Sequence, residues 1–134
     1  MAGERSVARF GRAGEEPLLT LTCDPAARTI LLRRAAVITG PTPLVITSTM
    51  ARRMLTAESD SSGDFDGIAG GAAGVSFTPR DPLLDAIAFS RGRFMVEIPG
   101  FAALYLPSWP ELSRVIEDCR GEVVHRPDPS PKPR

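Results

Sequence analysis

The stretch LLTLTCDPAARTILLRR, Leu18 to Arg34, decides the fold. In its first half Leu19, Leu21 and Cys23 alternate with Leu18, Thr20 and Thr22. Successive strand side chains point to opposite faces, so this alternation defines a strand that carries Cys23 on the same face as two leucines. DPAAR then opens with Asp-Pro, a turn initiator. TILLRR follows, rich in leucine and β-branched residues. The pattern predicts a β-hairpin over 18–34.

Working outward, SVARFG alternates Val7 and Arg9 with Ala8 and Phe10. Downstream, GPTP at 40–43 interrupts the chain. LVITSTM alternates Val45, Thr47 and Thr49 with Leu44, Ile46 and Ser48, and RRMLTA continues it or pairs with it. The segment ESDSSGDFDGIAGGAAG, residues 58–74, is Gly, Ser and Asp with little to bury, and predicts a flexible exposed loop. VSFT is a short strand. RDPLLDAIAFSRG is a helix with marked ends: Asp81 as N-cap, Pro82 at the first helical position, Gly92 after the end, and Leu84, Ile87 and Ala88 as its apolar stripe. RFMVEIPGFAALYLP predicts two strands joined at Pro99-Gly100, the signature of a type II turn.

The last helix lies in LPSWPELSRVIEDCR, 106–120. Ser108 and Glu111 have the spacing of a capping box, with Pro110 in the first turn. Leu112, Val115, Ile116 and Cys119 follow at i, i+3, i+4 and i+7, one face of a helix. The final residues, 125–134, form a proline-alternating tail expected to be extended and disordered, without the P-x-x-P spacing of common ligands. The order of elements predicts one α+β domain over 1–124. Its sheet is mostly antiparallel and curled, barrel- or sandwich-like, with two short helices, the second C-terminal.

A chain of 134 residues is the size of one domain and buries roughly two-thirds of its unfolded surface. Its net charge of zero argues against a nucleic-acid partner, whose phosphates call for a basic excess. Lys132 is the only lysine and every other basic residue is an arginine, which reflects either codon bias or guanidinium recognition of anions. No apolar run approaches the ~18 residues of a membrane span. MAGERSVARFGRAGEE has no apolar signal-peptide core, so the N-terminus leaves the compartment open, the cytoplasm included.

Few residues offer chemistry. The single histidine, His125, stands at the edge of the tail, a poor place for an oriented imidazole. Two distant cysteines do not make a zinc site. SSGDFDG places Ser62, Asp64, Asp66 and Gly67 at calcium-loop positions, but Ala73 stands where a bidentate Glu is required. GIAGGAAG, 67–74, lacks the Lys-Ser/Thr of a phosphate loop. The acidic pairs Asp81/Asp85 and Glu117/Asp118 fit capping and solvated helix faces better than acid–base work. No catalytic residue, cofactor or metal is therefore predicted, and a carboxylate-dependent hydrolase ranks below a non-enzymatic domain. Arginines pair as Arg33-Arg34, Arg52-Arg53 and Arg91/Arg93. Arg33, Arg52, Arg91 and Arg93 are the candidate anion contacts, around a curved sheet that could hold a small ligand. Cys23 and Cys119 both fall on apolar faces, which leaves two readings: a disulfide closing nearly the whole domain, or two buried thiols. A reactive thiol would need an electropositive, open setting.

DPLLDAIAFSRGRF followed by LYLPSWPELSRVIEDCR, with ARFG, LLTLTCD and TILLRR upstream, resembles a group of uncharacterised alphaproteobacterial proteins, exported or lipoprotein-like. The likeness spans most of 6–120, excluding the acidic glycine loop and the tail. In layout the chain is also similar to periplasmic proteins of the invasion-associated locus B type. The resemblance implies export to the periplasm or beyond, and with it a Cys23–Cys119 disulfide. It implies no catalytic or ligand residues. The expectation is an envelope-associated binding or structural domain of unknown activity, for which a homo-oligomer stays open.

Overall fold

The computed structural model describes residues 6–60, 66–68 and 70–121. The elements run, in chain order, β1 (Val7–Phe10), β2 (Leu19–Asp24), β3 (Thr29–Ala35), β4 (Thr42–Thr47), β5 (Arg52–Asp60), β6 (Ala72–Phe77), α1 (Pro82–Ala88), β7 (Arg93–Glu97), β8 (Leu104–Pro107) and α2 (Pro110–Arg120). All strand pairs are antiparallel, and the eight strands form one curled, nearly closed sheet in the order β1-β2-β3-β6-β5-β4-β7-β8. The α+β class and curled antiparallel sheet expected from the sequence are both present.

The predicted hairpin is β2–β3, with Leu21 opposite Leu32 and Cys23 opposite Ile30. Its turn forms as the Asp-Pro signal implies: Asp24 Oδ1 accepts from Ala26 N at 3.1 Å and Ala27 N at 3.3 Å. An aspartate bonding to the backbone two residues on is the usual device of such turns. RRMLTA pairs with β4, Leu55 against Leu44 and Arg53 against Ile46. β5 is long because it serves two neighbours: Arg52–Ala57 pairs with β4, and Glu58, Ser59 and Asp60 pair with β6. The β7–β8 turn carries Gly100 at φ 88°, and Phe101 N donates to Ile98 O at 3.0 Å. This is the predicted type II geometry, which a side chain at position 100 would strain.

Ala8, Phe10, Leu19, Leu21, Ile30 and Leu32 point inward from the first three strands, and Leu44, Ile46, Phe94, Val96 and Leu106 from the last ones. The sheet curls far enough that Phe10 on edge strand β1 meets Phe94 on β7 edge-on, at 6.0 Å between ring centroids. Trp109, just past β8, stacks on the other side of Phe10 at 5.5 Å. The start of α2 thus bridges the seam between the two sheet edges. α2 then runs over β1, β2 and β3 and touches α1, burying the predicted stripe of Leu112, Val115, Ile116 and Cys119. At its end Cys119 is disulfide-bonded to Cys23, with 5.4 Å between their Cα atoms.

Two local expectations need correction. The capping box does not form: the N-cap of α2 is Trp109, without a side-chain cap bond. Ser108 Oγ instead donates to Ile87 O at 2.8 Å, a tertiary bond to the end of α1 that takes the hydroxyl away from the helix. The segment 58–74 is also not a loop throughout. Residues 58–60 belong to β5 and 72–74 to β6, while Asp66 and Ile68 are buried. α1 matches its predicted start: Asp81 Oδ1 accepts from Leu83 N at 2.9 Å, with Pro82 next. The tail 125–134, with His125, lies outside the described residues, as do Ser62 and Asp64 of the calcium-like loop.

Candidate functional site

Adjacent strand residues face opposite ways, so Arg33 and Arg34 enter different environments. Arg33 lies on the outer face of β3, between Thr20 and Gly74, and would be open to water were the sheet bare. It is fully buried because the 66–68 segment folds over it. Arg33 Nη1 donates to Asp66 Oδ1 at 2.6 Å, and its Nε lies 3.4 Å from Asp60 Oδ2. Asp66 also accepts from Thr20 Oγ1 and, at 3.1 Å, from Ile68 N, while its carbonyl accepts from Arg9 Nε at 2.9 Å. Gly74 makes room for this cluster: a Cβ there would lie 3.2 Å from Asp60 Oδ2. Gly67 is needed for a different reason, at φ 99° with a Cβ position 3.1 Å from the Pro17 ring. The cluster is an electrostatic clamp closed to solvent, and it removes Arg33 from the predicted anion-contact set.

Arg34 points into the mouth of the barrel. Its guanidinium donates to Val96 O at 3.4 Å and to Ala102 O, and lies 5.7 Å from the centroid of the Phe101 ring. No carboxylate faces it among the described residues, and burial pushes the group below its ordinary value. Its bonds to two carbonyls of the β7–β8 hairpin make it a strut that holds the hairpin over the barrel end.

Most carboxylates are similarly occupied. Asp81 holds Arg53 in a two-pronged bond of 2.8 and 2.9 Å, and Asp85 holds Arg120 the same way at 3.0 Å on each arm. The Arg53 bond is the main reason that the Asp81 carboxyl sits below the usual range, aided by Leu83 N and opposed by partial burial. Asp118 accepts from Ser6 Oγ at 2.8 Å. Asp81, Asp85 and Asp118, three members of the acidic pairs considered from the sequence, therefore brace separate parts of the fold. Among the described residues no group of three or more His, Cys, Asp or Glu is placed to hold a metal ion.

The open surface lies on the other half of the sheet. Strand alternation and register put Arg52, Thr47, Met95 and Tyr105 in one row across β5, β4, β7 and β8, with Met54, Val45 and Glu97 in the next. Met54 is 64% exposed, Tyr105 59% and Phe101 39%. A shallow groove of about 490 Å³ runs past Pro43, Val45, Met54, Pro99 and Phe101, with Arg52 and Glu97 on its rim. Arg93 belongs to the same outward face, its guanidinium 5.4 Å from the Tyr105 ring centroid. Of the predicted anion contacts, the structure thus brings Arg52 and Arg93 to one face, places exposed Arg91 at its border with its backbone N–H on Thr49 Oγ1 at 3.2 Å, and buries Arg33 elsewhere. The exposed methionines and Tyr105 were not singled out in the sequence. Outward Met54 and Tyr105 alternate with the inward residues of β5 and β8, so period 2 was the available signal. Comparison with family models, with curated proteins and with solved structures returns no match.

Proposed function

We propose that this chain is a non-enzymatic binding or structural domain of an oxidising, envelope-associated compartment, in keeping with the exported alphaproteobacterial family its sequence resembles. The observation that carries the reading is the Cys23–Cys119 disulfide. Such bonds persist in the periplasm and outside cells and are rare in a reducing cytosol. This bond staples the last helix to an early strand, a structural rather than a redox placement. No helix among the described residues is long and apolar enough to cross a membrane. The charged groups with chemical potential are mostly committed to Arg–Asp braces, and the face left for contact is the outer surface of β5-β4-β7-β8.

The test is the thiol state of native material. Protein isolated from its source with an alkylating agent present throughout should take up none, and reduction should add two hydrogens to its mass. Both cysteines are buried, so the alkylation is completed on denatured, unreduced protein, and two alkylated cysteines there would overturn the compartment assignment. A second reading, recognition of a small anion, draws on Arg52 and Arg93 sharing one face. Thermal shift with phosphate, sulfate and anionic lipids tests it, and unchanged melting with all three would dismiss it.

A further inference from the structure

We infer that one end of the barrel docks on an anionic lipid surface, with Met50, Phe89 and Trp109 entering the interface and the arginines around them meeting headgroup phosphates. The inference rests on surface groups alone. It goes beyond the compartment reading and does not depend on the thiol state.

The first argument is where the loops meet. Thr47 lies opposite Arg52, and Arg93 opposite Pro107, so loop 48–51, loop 89–92 and residues 108–109 all leave the sheet at the same end. Side chains and backbone stitch them into one rim. Thr49 N donates to Ser90 Oγ at 3.1 Å, and Arg91 N donates to Thr49 Oγ1 at 3.2 Å. Ser108 N donates to Gly92 O at 3.4 Å, and Ser108 Oγ donates to Ile87 O. Each of the three segments presents one large hydrophobic side chain to water: Met50 is 72% exposed, Phe89 68% and Trp109 45%. Singly such residues are ordinary, but here there is one on each of three segments bonded together. Met50 is on a tight turn, closed by Ser48 N on Ala51 O at 2.8 Å and by Ser48 Oγ, which accepts from Met50 N and Ala51 N. Trp109 is backed by Phe10 on one ring face. An amphipathic indole at the boundary between water and acyl chains is in its preferred place.

The second argument is charge. Arg52, Arg91 and Arg93 are exposed beside these loops and form no ion pair among the described residues. Arg114, also exposed, lines with Trp109 a shallow groove of about 630 Å³. Asp81 and Asp85 are held by Arg53 and Arg120, which leaves Glu97 and Glu111 as the flanking carboxylates against four arginines. Guanidinium groups match phosphate oxygens in pairs, and basic groups at an anionic leaflet add to the affinity of inserted apolar side chains. The opposite end makes the contrast. It exposes Val37, but its exposed charges among the described residues are Arg12, Glu15 and Glu16. The apolar side chains on separate loops, set among arginines, suit a fluid interface that fills in around each one, whereas a protein partner needs one contiguous complementary surface.

The experiment is co-sedimentation of the full oxidised chain with vesicles of phosphatidylcholine alone or mixed with phosphatidylglycerol, together with the emission of Trp109, the only tryptophan. The chain should bind the mixed vesicles and not the neutral ones, and binding should weaken as salt rises. Trp109 emission should move to shorter wavelength on binding. Met50→Asp and Phe89→Asp should each weaken binding about tenfold, and Arg91→Glu combined with Arg93→Glu should abolish the preference for phosphatidylglycerol. Val37→Asp, at the opposite end, should leave binding unchanged. All these positions are exposed, so the variants should keep the wild-type far-UV spectrum and melting temperature. No binding to mixed vesicles at low salt would overturn the proposal, as would equal binding to neutral vesicles or an equal loss in Val37→Asp. Displacement by inorganic phosphate at matched ionic strength would also overturn it, in favour of a small-anion site. None of these results touches the disulfide, so the domain's compartment stands or falls separately.

Discussion

A guanidinium on the outer face of β3 survives burial only because Asp66 is brought to it from a distant stretch. Removing that carboxylate strands a charge in a dry site, which costs about 3–5 kcal/mol where the other partner stays. Asp60 remains near Arg33 Nε at 3.4 Å, so Asp66→Ala should fall at the lower end, and urea denaturation measures it. Asp66→Asn keeps an acceptor for Thr20 and Ile68 and should lose less. Asp81 offers a pH signature. Its folded carboxyl is held below the ordinary range chiefly by Arg53. The resulting stabilisation is complete above the unfolded value near 3.9 and is lost as pH falls through the folded value. Arg53→Met should therefore flatten the fall in urea midpoint on acidification below about pH 5. Asp81→Ala also removes the helix cap and should cost a further ~1 kcal/mol at neutral pH.

At the scale of elements, the parts that local chemistry governs were legible and the parts governed by distant partners were not. Strand alternation placed Cys23 beside Leu19 and Leu21, and helical spacing placed Cys119 beside Leu112, Val115 and Ile116, each from one short stretch. That the two meet is a tertiary fact, consistent with both faces entering one core. Ser108 carried a correct local signal for a helix start, but the Ile87 carbonyl was a better partner for its hydroxyl. Residues 58–74 look solvated because Gly, Ser and Asp bury little by themselves. Asp66 is buried by Arg33, 33 positions away, and Gly74 accommodates the neighbouring Asp60 side chain, neither of which composition displays. The open face was hidden for a different reason. Period 2 tells which residues share a side, whereas which side is covered depends on where α2 and the 66–68 segment come to rest. The staple at the end of α2 closes a loop of 96 residues, for which chain entropy assigns about 4–5 kcal/mol as an upper figure. The double substitution Cys23→Ser with Cys119→Ser should lower unfolding free energy by up to that amount. Reduction of the wild type should reproduce most of the loss.

For the whole molecule, the consequence of this layout is where cooperativity would break first. The sheet is one continuous ladder from β1 to β8, while α2 is held by its apolar stripe, by Trp109 on Phe10, by Ser6 on Asp118 and by the disulfide. With the disulfide intact, the helix cannot leave without taking β2 with it, so helix and sheet unfold together. Trp109 is the only tryptophan and sits at the seam, where its emission reports whether α2 is docked. In the oxidised protein, tryptophan fluorescence and the far-UV signal should follow one denaturant transition, the mark of a two-state domain. In the reduced protein, α2 keeps only its packing and a few polar bonds. Its undocking should then precede loss of the sheet, and the fluorescence midpoint should fall below the far-UV midpoint. Coincident transitions in both states would show that the packing of Leu112, Val115 and Ile116 alone couples the helix to the barrel. The disulfide would then add stability without adding cooperativity.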